Sequence, residues 1–190
     1  MVNLSKIDSK PRNICSIDAS TNSLAFAIFS DKTLVRFGKI NFQGKDVYSK
    51  VADAAAKTLA LFKLFDIDAV VIEQTVYLNS PKTMLDLTMV HGAIIAAITL
   101  EKDVRVRSVP PIAWQTFIGN GKLTTKEKQD LMAEFPDKSK NWYQNKSREI
   151  RKQRTIRFVN TYYDKNVIDN DVADAIGIGN YALRNITKLF

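Results

Sequence analysis

The run Val70-Val71-Ile72, closed by Glu73-Gln74, constrains the fold of this chain more than any other stretch. A short Val/Ile segment without polar alternation has the pattern of a strand buried on both faces, which needs strand neighbours and helices packed above and below it. It therefore predicts a central strand in a helix-covered sheet. The strand ends in an acid. An ionised carboxylate is costly to desolvate, so Glu73 has to be solvated, paired or coordinated to a cation.

The flanking sequence supplies the other layers. Residues 14–29 hold two apolar segments around the turn-prone Ser20-Thr21-Asn22-Ser23, and residues 34–42 continue with alternation, which predicts a three-strand antiparallel meander. Val47, Val51, Ala54, Thr58, Phe62 and Phe65 recur at helical spacing, so 47–65 is expected to be an amphipathic helix leading into the Glu73 strand. Ser80 as N-cap and Pro81 at the first helical position open a second helix reaching about Leu100. It is apolar around most of its circumference, which predicts burial in the core or against a partner subunit. A further strand, 104–109, ends at Pro110-Pro111, and one last helix is expected over 169–189, capped by Asp169 or Asn170. This order of elements indicates an α/β fold: a mixed sheet, made of an antiparallel meander plus parallel strands, flanked by helices.

Three segments distant in sequence each offer a carboxylate against apolar context: Asp18 in the first strand, Glu73, and Asp171 with Asp174 at the start of the last helix. Residues three apart on a helix share a face, so Asp171 and Asp174 project together. Taken singly, each acid is explained as well by a strand-end turn or a helix cap. Their joint order suggests convergence. Anions packed together raise one another's pKa, a conflict that a hard divalent cation resolves. An oxygen-only donor set suits Mg²⁺ or Mn²⁺, and two such ions about 4 Å apart suit in-line phosphoryl displacement.

Composition bounds the partners. With 190 residues, 45% of them hydrophobic, the chain fills one core rather than two, so 1–190 is expected to be a single domain. The formal charge of +8 points to a polyanion, with nucleic acid the leading candidate. Residues 138–157 are dense in Lys and Arg, with Glu149 their single acid and Trp142 and Tyr143 interleaved. Phosphate contact and a solvated helix both fit this stretch, and Trp142 and Tyr143 suit base stacking or packing equally. Lys146, Arg148, Arg151 and Lys152 within it are candidate DNA contacts. The lone Cys15 excludes an intrachain disulfide, and the lone His91 reads as a core or interface histidine. No apolar run is judged to approach the roughly 20 residues of a spanning helix. The first residues lack the apolar stretch of a signal peptide, so no membrane partner and a cytoplasmic location, bacterial or in a phage-infected host, are expected. Gly119-Asn120-Gly121-Lys122 fails as a nucleotide phosphate loop, because Thr116 and Leu123 stand where Gly and Ser or Thr are needed.

Ile17-Asp18-Ala19-Ser20-Thr21-Asn22, Val71-Ile72-Glu73-Gln74 and Asp171-Val172-Ala173-Asp174-Ala175 together resemble the RuvC-type Holliday junction resolvases of the ribonuclease H-like superfamily. The helix around Met84, Met89 and His91-Gly92-Ala93 is similar to the one that follows the family's glutamate. The segment from Val109-Pro110-Pro111-Ile112-Ala113-Trp114 through Gly119-Asn120-Gly121 to Lys126 is similar to the family's approach to its Lys-bearing DNA loop. The resemblance implies that Asp18, Glu73, Asp171 and Asp174 are catalytic and hold two Mg²⁺ ions, with Mn²⁺ able to substitute. It implies a homodimer, with the apolar helix as its face, that nicks two opposed strands of a four-way DNA junction and leaves 5′-phosphate and 3′-hydroxyl ends. Lys122, Lys126 and Lys128 would hold backbone phosphates, and Gln74 and Tyr77 would contact the junction. Where the family tends to carry a wedging aromatic, Val76 stands, with Tyr77 one residue later. A basic insert, about 135–166, is longer than in the common bacterial enzymes and fits a divergent, virus-like branch. Two other functions stay open on the residues alone: a ribonuclease H-like nuclease acting on flaps, forks or RNA–DNA hybrids, and a non-catalytic junction-binding module.

Overall fold

The computed structural model describes residues 10–76, 80–101 and 103–190. The meander is formed as expected by β1 (Asn13–Ala19), β2 (Ser23–Ser30) and β3 (Thr33–Asn41). α1 (Val47–Leu64) follows, with the Asp46 side chain accepting the Ser49 N–H as its cap, and leads into β4 (Ala69–Glu73). α2 (Pro81–Glu101) and β5 (Arg105–Val109) complete a five-stranded sheet of order β3-β2-β1-β4-β5. β1, β4 and β5 run parallel. The Glu73 strand is thus paired on both sides, although β1, which also joins the meander, takes the middle place.

Alternation along the strands assigns two faces. Cys15, Ile17, Val70 and Ile72 pack under α1 and α2. Ile14, Ala69 and Val71 face the other way, toward α3 (Pro111–Phe117) and α6 (Asn170–Arg184). α6 is buried nearly all round from Val172 to Asn180, because α5 (Lys140–Tyr163) packs on its outer side. Two glycines set its approach to the sheet. A Cβ on Gly179 would come within 2.0 Å of the Phe29 ring and 2.6 Å of Ser16 Oγ, and one on Gly177 within 2.8 Å of Trp114. The close seat lets the Ser16 hydroxyl donate to the Ala175 carbonyl at 2.7 Å.

Two expectations need correction, and a third is met in part. The last helix is two: α6 ends at Asn185, whose N–H returns to the Tyr181 and Ala182 carbonyls, and α7 (Ile186–Leu189) follows. α2, expected to be buried in the core or against a partner subunit, is covered by the chain itself on one side only. Val90, Ile94 and Ile98 enter the core, whereas Leu85 and Leu100 are 66% and 86% exposed, so one apolar face lacks a cover within the chain. The expectation that no apolar run reaches spanning length also fails. By length and composition α2 could cross a bilayer, because its few charged residues cluster at its ends and at Asp86. Its core-facing half makes it equally a core helix of the α/β fold.

The segment 135–166 is occupied by α5, preceded by α4 (Thr125–Glu134) with a Thr124/Glu127 capping box. Trp142 and Tyr143 pack rather than project: Trp142 lies against Phe135 at 5.1 Å between ring centroids, and the Tyr143 hydroxyl donates to the Phe135 carbonyl. His91 is a core residue whose burial holds its pKa below the usual imidazole value. Cys15 is a free, buried thiol.

Candidate active site

The sheet register builds one row of side chains on the α6 face. Asp18 pairs with Ala25, and Ala25 with Lys39. On the other side of β1, Ile17 pairs with Ile72, so Asp18 and Glu73 stand next to each other at the carboxyl ends of parallel strands; Glu73 in turn pairs with Val109. The row therefore runs Lys39, Ala25, Asp18, Glu73, and the first turn of α6 brings Asp171 and Asp174 over it. Asp169 caps that helix by accepting the Asp171 and Val172 amides.

The four sequence-predicted acids feel one another. Burial, and then the carboxylates of Glu73, Asp174 and Asp171, push Asp18 well above the ordinary aspartate range, with Lys39 pulling the other way. Burial and Glu73 raise Asp174 to about 7, against a hydrogen bond from Thr155 and the charge of Lys152. Burial also raises Glu73, which the indole of Trp114 partly offsets by donating to Oε1 at 2.7 Å. Asp171 is ion-paired with Lys39, 2.6 Å from Nζ, which also reaches Asp169 at 3.2 Å.

Among the described residues, no three acidic, histidine or cysteine side chains converge closely enough to enclose an ion. Asp171 is turned to Lys39, and one oxygen of Glu73 to Trp114. In donor chemistry the set fits a hard dication. It is all carboxylate oxygen, and the shared upward shifts of Asp18 and Asp174 mark negative charge that the protein does not neutralise.

Cations surround this acidic row. A cleft of about 160 Å³ beside Asp174 is lined by Gln115, Asn120, Arg148, Arg151, Lys152 and Thr155. Asn120 is fixed there by donating to the Arg151 carbonyl and to Thr155 Oγ1, both at 2.8 Å. Arg148 and Arg151 also line a larger groove of about 870 Å³ between α4 and α5, with Lys122 and Lys128. Four predicted DNA contacts thus share one groove, and Lys152 sits in the cleft that adjoins it. Lys126 is exposed on α4 but lines neither. Lys146 is ion-paired with Glu149 at 3.0 Å. Gln74 is exposed just past β4, and Val76 is 51% exposed. Tyr77 lies outside the described residues.

Lys39, Trp114, Asn120 and Thr155 reach the site without having been assigned a role in it from sequence. The spacing of Lys39 on β3 carried the one available signal, since a Lys two strands over from Asp18 shares its row once the meander's register is drawn.

Comparisons with known proteins agree with this geometry. No family model matches the chain. The crossover junction endodeoxyribonuclease RuvC of Aliarcobacter butzleri (strain RM4018) is 30% identical over 118 residues, which span 60% of this chain and 77% of that protein. Among solved structures, T. thermophilus RuvC in complex with a Holliday junction substrate superposes with a TM-score of 0.68 at 12% identity, covering 93% of this chain and 96% of that one. The yeast mitochondrial Holliday junction resolvase Ydc2 gives a TM-score of 0.56 at 13% identity, over 97% and 86% of the two chains.

Proposed function

Since the chain belongs to the RuvC family of crossover junction endodeoxyribonucleases, and shares its ribonuclease H-like α/β fold, we propose that it is a Mg²⁺-dependent endonuclease that resolves four-way DNA junctions by paired nicks. The observation that carries this reading is the single acidic row of Asp18 and Glu73 under Asp171 and Asp174, bordered by basic clefts.

Asp18, Glu73, Asp171 and Asp174 would hold two Mg²⁺ ions, with Mn²⁺ able to replace them. When bound, such ions activate a water and stabilise the oxygens of an in-line phosphodiester hydrolysis, giving 5′-phosphate and 3′-hydroxyl ends. The chain's own groups orient that site. Trp114 directs one oxygen of Glu73, Thr155 holds Asp174, and Asn120 holds Thr155.

Arg148, Arg151, Lys122 and Lys128 would carry the phosphates of a DNA arm along the α4–α5 groove, while Lys152 would guide the backbone toward Asp174. T. thermophilus RuvC, with which this chain superposes over nearly its whole length, was solved bound to a Holliday junction substrate, and this supports branched DNA as the ligand here. The exposed apolar face of α2, with Leu85 and Met89, suits the homodimer that two opposed nicks require. A cytoplasmic location goes with a DNA substrate.

Cleavage of a labelled four-way junction in Mg²⁺, beside linear duplex, a Y-fork and an RNA–DNA hybrid, tests the proposal. Paired nicks near the crossover by the wild type, lost in Asp174→Asn with junction binding kept, are expected. Tight junction binding by both proteins without cutting would refute it in favour of a binding module, and preferential cutting of the hybrid would move the substrate elsewhere in the superfamily.

A further inference from the structure

β3 contributes no acid, yet its Lys39 reaches the acidic row. The register explains how. Ala25 stands between Asp18 and Lys39 in the row, and the Lys39 ammonium ends at the start of α6. There Nζ donates to Asp171 Oδ2 at 2.6 Å and to Asp169 Oδ2 at 3.2 Å. The pair is partly solvated, with the side chains of Lys39, Asp171 and Asp169 27%, 37% and 41% exposed, so it weakens as salt is added. Both carboxylates hold the ammonium in place.

An ammonium in this position does toward Asp171 what a bound dication would do: it neutralises the carboxylate and occupies its oxygen. The two cannot share that oxygen at close range without strong repulsion. We propose that Lys39 is a positioning residue that acts through Asp171, a tethered cation that steadies the acidic row in the metal-free protein and competes with a divalent ion for the Asp171 limb of the site. This inference rests on the metal-dependent nuclease reading. It makes ion binding at Asp18 and Asp174 the stronger step and ion binding at Asp171 the weaker one. The weaker step is governed by a residue outside the carboxylate set.

The test is Mn²⁺ titration of the metal-free, DNA-free full chain by calorimetry, for wild type, Lys39→Met and Lys39→Arg. Removal of the ammonium is expected to tighten the weaker binding step by roughly tenfold or more, and Lys39→Arg, which keeps the charge, to behave as wild type. A second readout is thermal. Lys39→Met is expected to melt lower than wild type without metal and to gain more from added Mn²⁺. Lys39→Gln serves both measurements if the Met variant does not fold. Unchanged or weaker Mn²⁺ binding in the neutral variants, with the wild type binding normally, overturns the role of Lys39 alone. Absence of Mn²⁺ binding to every chain overturns the carboxylate site as well.

Discussion

Asp174 is the acid whose environment can be weighed most directly. Its pKa rises from the ordinary aspartate value of 3.8 to about 7, first through burial and then through Glu73. At pH 8 the folded chain holds this group ionised in a setting that favours the neutral form, a penalty on the order of 4 kcal/mol. The sign follows from the direction of the shift. A carboxyl whose folded pKa is raised contributes stability that is fully present below the unfolded value of 3.8 and is lost as pH rises through about 7. Asp174→Asn removes the charge and keeps an acceptor for Thr155, so the metal-free variant is expected to be more stable than wild type at pH 8 by about 2–4 kcal/mol. In a chain of this size that raises the melting temperature by roughly 4–15 °C. The gap should fall by more than half at pH 5 and nearly vanish at pH 4, where the wild-type carboxyl is protonated. Thermal denaturation in EDTA across this pH range measures it. An Asp174→Asn chain no more stable than wild type at pH 8, or a gap independent of pH, would refute the account of a strained, charge-crowded row.

Gly179→Ala places a Cβ 2.0 Å from the Phe29 ring and is expected to cost about 3 kcal/mol by overpacking, whereas Gly92→Ala, with nothing within 4 Å, is expected to hold or gain stability; melting curves separate the two. Thr155→Val keeps shape but leaves one N–H of the Asn120 amide without its acceptor and removes the hydroxyl beside Asp174, so stability is expected to fall by about 1–3 kcal/mol, with Thr155→Ser restoring it in the same melts. Arg148→Ala is expected to weaken junction binding and to lower the slope of log affinity against log salt by about one, measured by anisotropy titration at several salt concentrations.

The local elements were readable because each carries its own period or punctuation. Val70-Val71-Ile72 announces an interior strand, and Asp46, Ser80 and Asp169 each stand just before the helix they open. What sequence could not supply were relations fixed by pairing. That Lys39 shares a row with Asp18 depends on the registers of two hairpins, and that Trp114 meets Glu73 depends on how α3 turns back after β5. The circumference of α2 left core and partner both open for a related reason: apolar residues all round a helix do not say which of them the chain itself covers. The break at Asn185 was missed because its marker is a polar residue returning hydrogen bonds to the previous turn, with no glycine or proline to flag it.

The distribution of charge, rather than its sum, ties these features together. A chain of net +8 favours a phosphate backbone as a partner, but its four clustered carboxylates oppose one locally. In the proposed function, DNA approaching that row would meet a barrier that Lys152, Lys39 and bound dications lower in turn. If the chain works as proposed, metal loading and DNA binding would be coupled through the same carboxylates, each favouring the other by relieving a repulsion, and such a coupling has to be reciprocal. The close seat of α6, held by Gly177, Gly179 and the Ser16 hydroxyl, is what keeps Asp171 and Asp174 near enough to Asp18 for that repulsion to exist. The glycine contacts in the core are in this sense part of the electrostatics of the site: a looser α6 would ease the strain on the acids and, with it, their demand for a cation.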